Sequence, residues 1–164
     1  TTSPHCFNAF TEKYEDIEKA FQIKHYSEFL EHLFSDNTPQ FKKDFSHKVT
    51  YHDPCYLAKH NDIIVPPRNL IQAIPGVTFV EMTKNGKDGL CCGGGGGRIY
   101  AEVEEESRLS DERIQQALEV GADVLVTACP WCYNMLSNAV KDLNVEEKIR
   151  VIDLAELLAQ VMDL

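Results

Sequence analysis

The chain has 164 residues, 43% of them hydrophobic, which suits one domain with an ordinary core. Its 26 Asp and Glu outweigh 16 Lys and Arg, and the formal net charge of −10 argues against nucleic acid or an anionic membrane surface as a general partner. No apolar run reaches membrane-spanning length, and the opening Thr1-Thr2-Ser3-Pro4-His5-Cys6 has neither Met nor a basic-then-apolar leader, so the chain reads as a piece of a longer cytoplasmic protein.

Strand-like and helical patterns alternate along the chain. Residues 22–26 read as a short strand and 27–34 as a helix. Residues 49–52 form a β-rich run that leads into Asp53-Pro54-Cys55. A helical pattern follows over 67–74, then an alternating strand over 77–82. Residues 100–121 predict one long helix, ended by Gly121 and opened by Glu102, Glu104, Glu105 and Glu106, which suit the first helical turn. Residues 124–127 are a strand running into Ala128-Cys129-Pro130. A helix over 130–143, a strand over 150–153 and a helix over 154–162 close the chain. The alternation predicts an α/β fold: a layered, mostly parallel sheet with flanking helices.

The six cysteines are Cys6, Cys55, Cys91, Cys92, Cys129 and Cys132. An even count suits a disulfide framework in a small secreted chain with a poor core, and this chain is larger and core-competent. Metal, cluster or redox chemistry is the stronger reading. Cys55 and Cys129 each follow a predicted strand, and Cys91-Cys92 follow a third across the polar loop 84–89. Ligands of open α/β sheets collect beyond the carboxyl ends of strands. Three separate segments are thus expected to bring five thiols to one end of one sheet.

The sequence also echoes itself. Ser3-Pro4-His5-Cys6-Phe7-Asn8 matches Cys129-Pro130-Trp131-Cys132-Tyr133-Asn134, and Glu28-Phe29-Leu30 matches Glu156-Leu157-Leu158. The simplest reading is a duplicated unit, with residues 1–46 the tail of a preceding, degenerate copy and 47–164 one complete copy. Ser3 then stands where Cys129 stands in the complete copy, and Cys6, the counterpart of Cys132, reads as a leftover core thiol.

Four ordered blocks carry a family resemblance. They are His52-Asp53-Pro54-Cys55-Tyr56-Leu57; Pro67-Arg68 with Ile74-Pro75-Gly76; Cys91-Cys92-Gly93; and Ala128-Cys129-Pro130-Trp131-Cys132. At this spacing the chain resembles the CCG-domain, or cysteine-rich domain, family, which includes catalytic subunits of heterodisulfide reductase and related Fe–S oxidoreductases. The resemblance implies a noncubane 4Fe–4S cluster ligated by Cys55, Cys91, Cys92, Cys129 and Cys132. Soft thiolates select Fe–S clusters or zinc, and zinc, the alternative, closes with four ligands where five converge here. Gly93, Gly94 and Gly95 are expected to let backbone approach the cluster and donate N–H groups to its sulfurs. His52, three residues before Cys55, is a candidate proton donor to a leaving thiolate, against the plainer role of a structural histidine.

The implied activity is reduction of a disulfide-type substrate, small molecule or protein, within a larger oxidoreductase. An Fe–S or flavin subunit or domain would supply the electrons, and partner subunits would provide any membrane association. An electron-relay module of a lactate, glycolate, glycerol-3-phosphate or acyl-CoA oxidising system, passing electrons to a quinone or carrier, is the alternative. A zinc-binding structural module is the second.

Overall fold

The structure, a computed structural model, describes residues 1–14, 21–36, 39–100 and 108–162. Four parallel strands form its sheet: β1 (Lys48–His52), β2 (Thr78–Phe79), β3 (Val124–Thr127) and β4 (Arg150–Asp153), in the order β2-β1-β3-β4. The chain leaves β1 towards one edge and β3 towards the other. The gap between β1 and β3 is therefore a topological switch point, where open α/β sheets place their ligands.

Period-two alternation sorts the strand residues onto two faces. Val49, Tyr51, Val124 and Val126 enter one apolar cluster, and Leu125 enters the other. The first face is covered by α3 (Cys55–Asn61), α4 (Val65–Gln72) and α7 (Leu154–Met162), through Leu57, Leu70, Ile71, Leu154, Leu157, Leu158 and Val161. Phe7 of α1 (Pro4–Asn8) joins this core, and α2 (Tyr26–Asp36) lies against α4. The second face carries α5 (Leu109–Glu119) and α6 (Pro130–Asp142), which bury Ile114, Ala117, Leu136, Ala139 and Val140. The layered α/β sandwich read from the sequence is the fold observed.

Local chemistry sets the element ends. Pro130 opens α6 at its first position, where the missing N–H costs nothing, and extended Cys129 is its N-cap. After α5, Gly121 takes φ +68°, so its N–H reaches the Leu118 carbonyl at 2.9 Å while that of Ala122 reaches Ala117 at 3.2 Å. This is a Schellman closure, which a glycine makes without strain.

Three predicted elements differ. Residues 22–26 form no strand. Tyr26 N–H bonds the Thr1 carbonyl, and His25 acts as the cap of α2, with its N–H held by Glu28 at 3.0 Å and its carbonyl accepting from Phe29. The strand expected over 77–82 shrinks to the two residues of β2, because the chain leaves the sheet edge after Val80 and Glu81 turns to Arg68. Of the helix expected over 100–121, α5 starts only at Leu109; residues 101–107, with the four glutamates, lie outside the described residues.

Candidate metal centre

The register sets His52, Thr127 and Asp153 abreast at the carboxyl ends of β1, β3 and β4. Beyond His52, the Asp53-Pro54 step carries Cys55 into the first turn of α3. Beyond Thr127, Ala128 leads to Cys129 at the N-cap of α6, and Cys132 follows on that helix's buried side. Cys91 and Cys92 arrive from the loop after a short 3₁₀ turn, Gly86–Asp88.

One clasp fixes these approaches. The Arg68 guanidinium forks onto both carboxylate oxygens of Asp53 at 2.7 and 2.9 Å and onto Glu81 at 2.6 and 3.1 Å. The same Asp53 accepts the Gly86 N–H at 2.8 Å, tying the loop that carries Cys91 and Cys92 to the end of β1. The Asp53 side chain is only 1% exposed, so this is a buried, bidentate pair.

Five thiols meet there. Side-chain interactions link Cys55 to Cys91, Cys91 to Cys92, Cys92 to Cys132 and Cys132 to Cys129. Cys91 accepts from the Cys55 and Cys92 thiols and from the Gly93 N–H at 3.4 Å, and its pKa falls to about 2. Cys129, accepting from Cys132, is also held down. Their neighbours rise: Cys55 through its interaction with Cys91 and then burial, Cys132 through its interactions with Cys129 and Cys92. Cys92 gains a bond from Cys132, but its own bond to Cys91 and its burial outweigh that and push it up to about 12. Five sulfurs this close cannot all be thiolates unless a positive centre neutralises them. That donor set fits a cluster of several iron ions better than a single zinc, which needs four ligands.

His52 completes the inner wall. A ring nitrogen lies within 4.8 Å of the Cys92 and Cys132 sulfurs. Nδ1 accepts from Arg113 Nε at 3.1 Å, so the neutral ring carries its proton on Nε2, which cannot then ligate a metal. Burial, and then the Arg113 charge, lower the His52 pKa to about 3. The ring is therefore neutral at ordinary pH, and the imidazolium that would hand over a proton is disfavoured. Nε2 is buried and has no hydrogen-bond partner among the described residues, which leaves its N–H unpaired.

The glycines divide. Gly93 takes φ +82° and its N–H bonds Cys91; the Gly94 backbone N–H favours the Cys92 thiolate. A Cβ on Gly94 would stand 2.7 Å from Met135 Cγ, so bare backbone is required there. Gly95 instead faces His5 Nε2, at 3.6 Å from where its Cβ would be. A cleft of about 240 Å³ is lined by His5, Gly94 to Gly97, Tyr100 and Trp131, and its wall residue His5 is close enough to Cys91 to feel that sulfur's charge. Cys6 is exposed, so it is not the core thiol expected from the sequence.

Two residues of the site carry sequence signals that composition hides. Ser110, Arg113, Ile114 and Ala117 are the buried positions of α5, so Arg113 is a charge in the middle of an apolar stripe. His5 lines the cleft opposite Trp131, its counterpart in the sequence echo. The Tyr26–Asp153 bond at 3.2 Å, near Cys129, joins segments 127 residues apart and had no local signal.

The sequence profile of the family described as "Cysteine-rich domain" (CCG) matches residues 49–137. Over 160 residues, 98% of this chain and 23% of the relative, the sequence is 36% identical to "Probable iron-sulfur-binding oxidoreductase FadF" of Bacillus subtilis. Over 167 residues, again 98% of this chain and 23% of the relative, it is 34% identical to "EtfAB:quinone oxidoreductase" of Syntrophomonas wolfei. Over 147 residues, 90% of this chain and 36% of the relative, it is 37% identical to a dihydromethanophenazine:CoB–CoM heterodisulfide reductase subunit of Methanosarcina acetivorans. The chain thus spans roughly a quarter to a third of these relatives' lengths. Among the described residues, no helix is long and apolar enough to cross a membrane. With more than half of its length matched and five thiols gathered at one sheet end, the chain belongs to the cysteine-rich domain (CCG) family.

Proposed function

We propose that Cys55, Cys91, Cys92, Cys129 and Cys132 ligate a noncubane 4Fe–4S cluster, and that the domain works in an oxidoreductase reducing a disulfide-type substrate. What supports this reading is the gathering of the five thiols at one sheet end, each acting on its neighbour's ionisation from Cys55 through Cys91, Cys92 and Cys132 to Cys129. Relatives named as iron–sulfur-binding and as part of a heterodisulfide reductase support it. Electrons would arrive from an Fe–S or flavin partner domain or subunit, and any membrane association would come through such partners.

When bound, the cluster would supply one-electron chemistry and an iron able to take a substrate sulfur. The protein's own groups do the rest. The Gly93 and Gly94 N–H groups steady two of the ligand sulfurs. The cleft lined by His5, the glycines and the 40% exposed Trp131 would admit a sulfur compound. With His52 held neutral, and His5 on the cleft wall also lowered by burial, the proton for a released thiolate comes from solvent.

A second reading, electron relay towards a quinone or carrier, is favoured by the likeness to a protein named EtfAB:quinone oxidoreductase over nearly the whole chain. Anaerobic EPR of the oxidised full-length protein, with and without candidate thiols, separates the two. A new or shifted signal on adding thiol is the expected result. A cluster signal that no thiol alters would support relay, and protein that binds zinc without iron or sulfide would end both readings.

A further inference from the structure

Arg113 is the one fully buried Lys or Arg among the described residues. A buried guanidinium normally sits against a carboxylate. Arg113 has none within ion-pairing distance among the described residues. Its Nη1 donates to the Lys84 carbonyl at 2.7 Å and to Gln116 Oε1 at 2.9 Å, and its Nε donates to His52 Nδ1 at 3.1 Å. Three carbonyl-type oxygens, the third being Tyr51 O at 3.5 Å from Nη2, and a neutral imidazole hold the group in place, while the Asp53 and Glu81 carboxylates act on its charge only through space. The sulfurs of Cys92 and Cys132 lie within 4.8 Å of a ring nitrogen of that imidazole. The placement sets a buried cation close to the thiolate centre, where the Cys132 sulfur and the guanidinium feel each other's charge.

We propose that Arg113 is a positioning residue for the centre held by the five thiols: it locks His52 in the Nε2–H tautomer, turns that N–H towards Cys92 and Cys132, and raises the centre's reduction potential. The proposal rests on the cluster reading above for its redox part and on hydrogen-bond geometry alone for its tautomer part. A donor aimed at a ligand sulfur and a buried positive charge both stabilise the more negative, reduced state. The Nδ1 lone pair must accept from Arg113 Nε, because a guanidinium has no acceptor to offer.

The two parts are tested separately. Long-range proton–nitrogen NMR of the ¹⁵N-labelled chain, cluster-free and kept reduced, reads the His52 tautomer, assigned by comparison with His52→Asn. Wild type and Arg113→Gln, whose amide still donates, should carry the proton on Nε2. Arg113→Met should lower the Nε2–H population several-fold. In reconstituted protein poised at the wild-type midpoint, Arg113→Met and Arg113→Gln should lower the reduced-to-oxidised ratio about tenfold, ~59 mV for one electron, and Arg113→Lys should recover most of it. A wild-type ring protonated on Nδ1 overturns the proposal, as does a ratio unchanged within about twofold in both uncharged variants. Protein that takes up no iron removes the cluster reading, while the tautomer measurement still decides the positioning claim.

Discussion

Gly94 is the residue at which packing and chemistry meet most tightly. Its N–H serves the Cys92 sulfur, and the space a Cβ needs is already filled by Met135 Cγ. Gly94→Ala should therefore destabilise the fold by ~1–3 kcal/mol through overpacking. In a Met135→Ala background the same change should cost less than about 1 kcal/mol, since the obstructing side chain is gone. Urea unfolding of the four proteins of this cycle checks it, and equal costs in both backgrounds would refute the contact. The cysteine positions were legible because spacing and strand ends are local properties. The Met135 contact was not, because it joins a loop to a helix some forty residues later. Arg113 lay between the two cases: its place on the α5 stripe was readable, its partner His52 was not.

At the scale of elements, the site depends on how β1, α4 and the loop before Cys91 are clasped. Asp53 takes two bonds from Arg68 and one from Gly86. Asp53→Ala should cost ~3–5 kcal/mol, because it leaves a largely buried Arg68 short of a carboxylate and frees the loop. Thermal unfolding measures the cost, and a change below about 1 kcal/mol would mean the clasp is incidental. The family's Pro67-Arg68 block gains a physical reason here, since Arg68 is the clasp's cation. The cap of α2 gives a pH prediction. Burial lowers the His25 pKa to about 4, against roughly 6.5 for a free ring. Below about 6.5 the unfolded chain binds a proton that the folded chain refuses, so stability should fall as pH drops from about 6.5 to 4, by about 3 kcal/mol in all. His25→Gln should flatten that decline in chemical-denaturation curves; a slope that persists undiminished would assign it to other groups. The same residue shows why 22–26 reads as a strand and is not one. An alternating, β-rich run looks identical whether it pairs in a sheet or caps a helix, and only the distant Thr1 carbonyl decides.

At the scale of the molecule, the alternation of strand and helix was enough for the layered α/β fold, and the ends of β1 and β3 place two of the three cysteine segments at the switch point. Cys91 and Cys92 reach it by a loop, whose path no periodicity encodes. We propose that residues 1–46 are the tail of a preceding repeat. The turns Ser3-Pro4 and Cys129-Pro130 share an extended N-cap, with ψ 123° in both, and a proline at the first helical position. The central claim is that sulfurs from three segments share one inorganic core. Iron and acid-labile sulfide analysis of the anaerobically reconstituted full-length protein, wild type beside Cys55→Ser and Cys132→Ser, tests it most directly. The account predicts about four irons with matching sulfide per centre in wild type and a loss of more than half in each variant. Stoichiometric zinc without sulfide, or full iron retention in both variants, would contradict it.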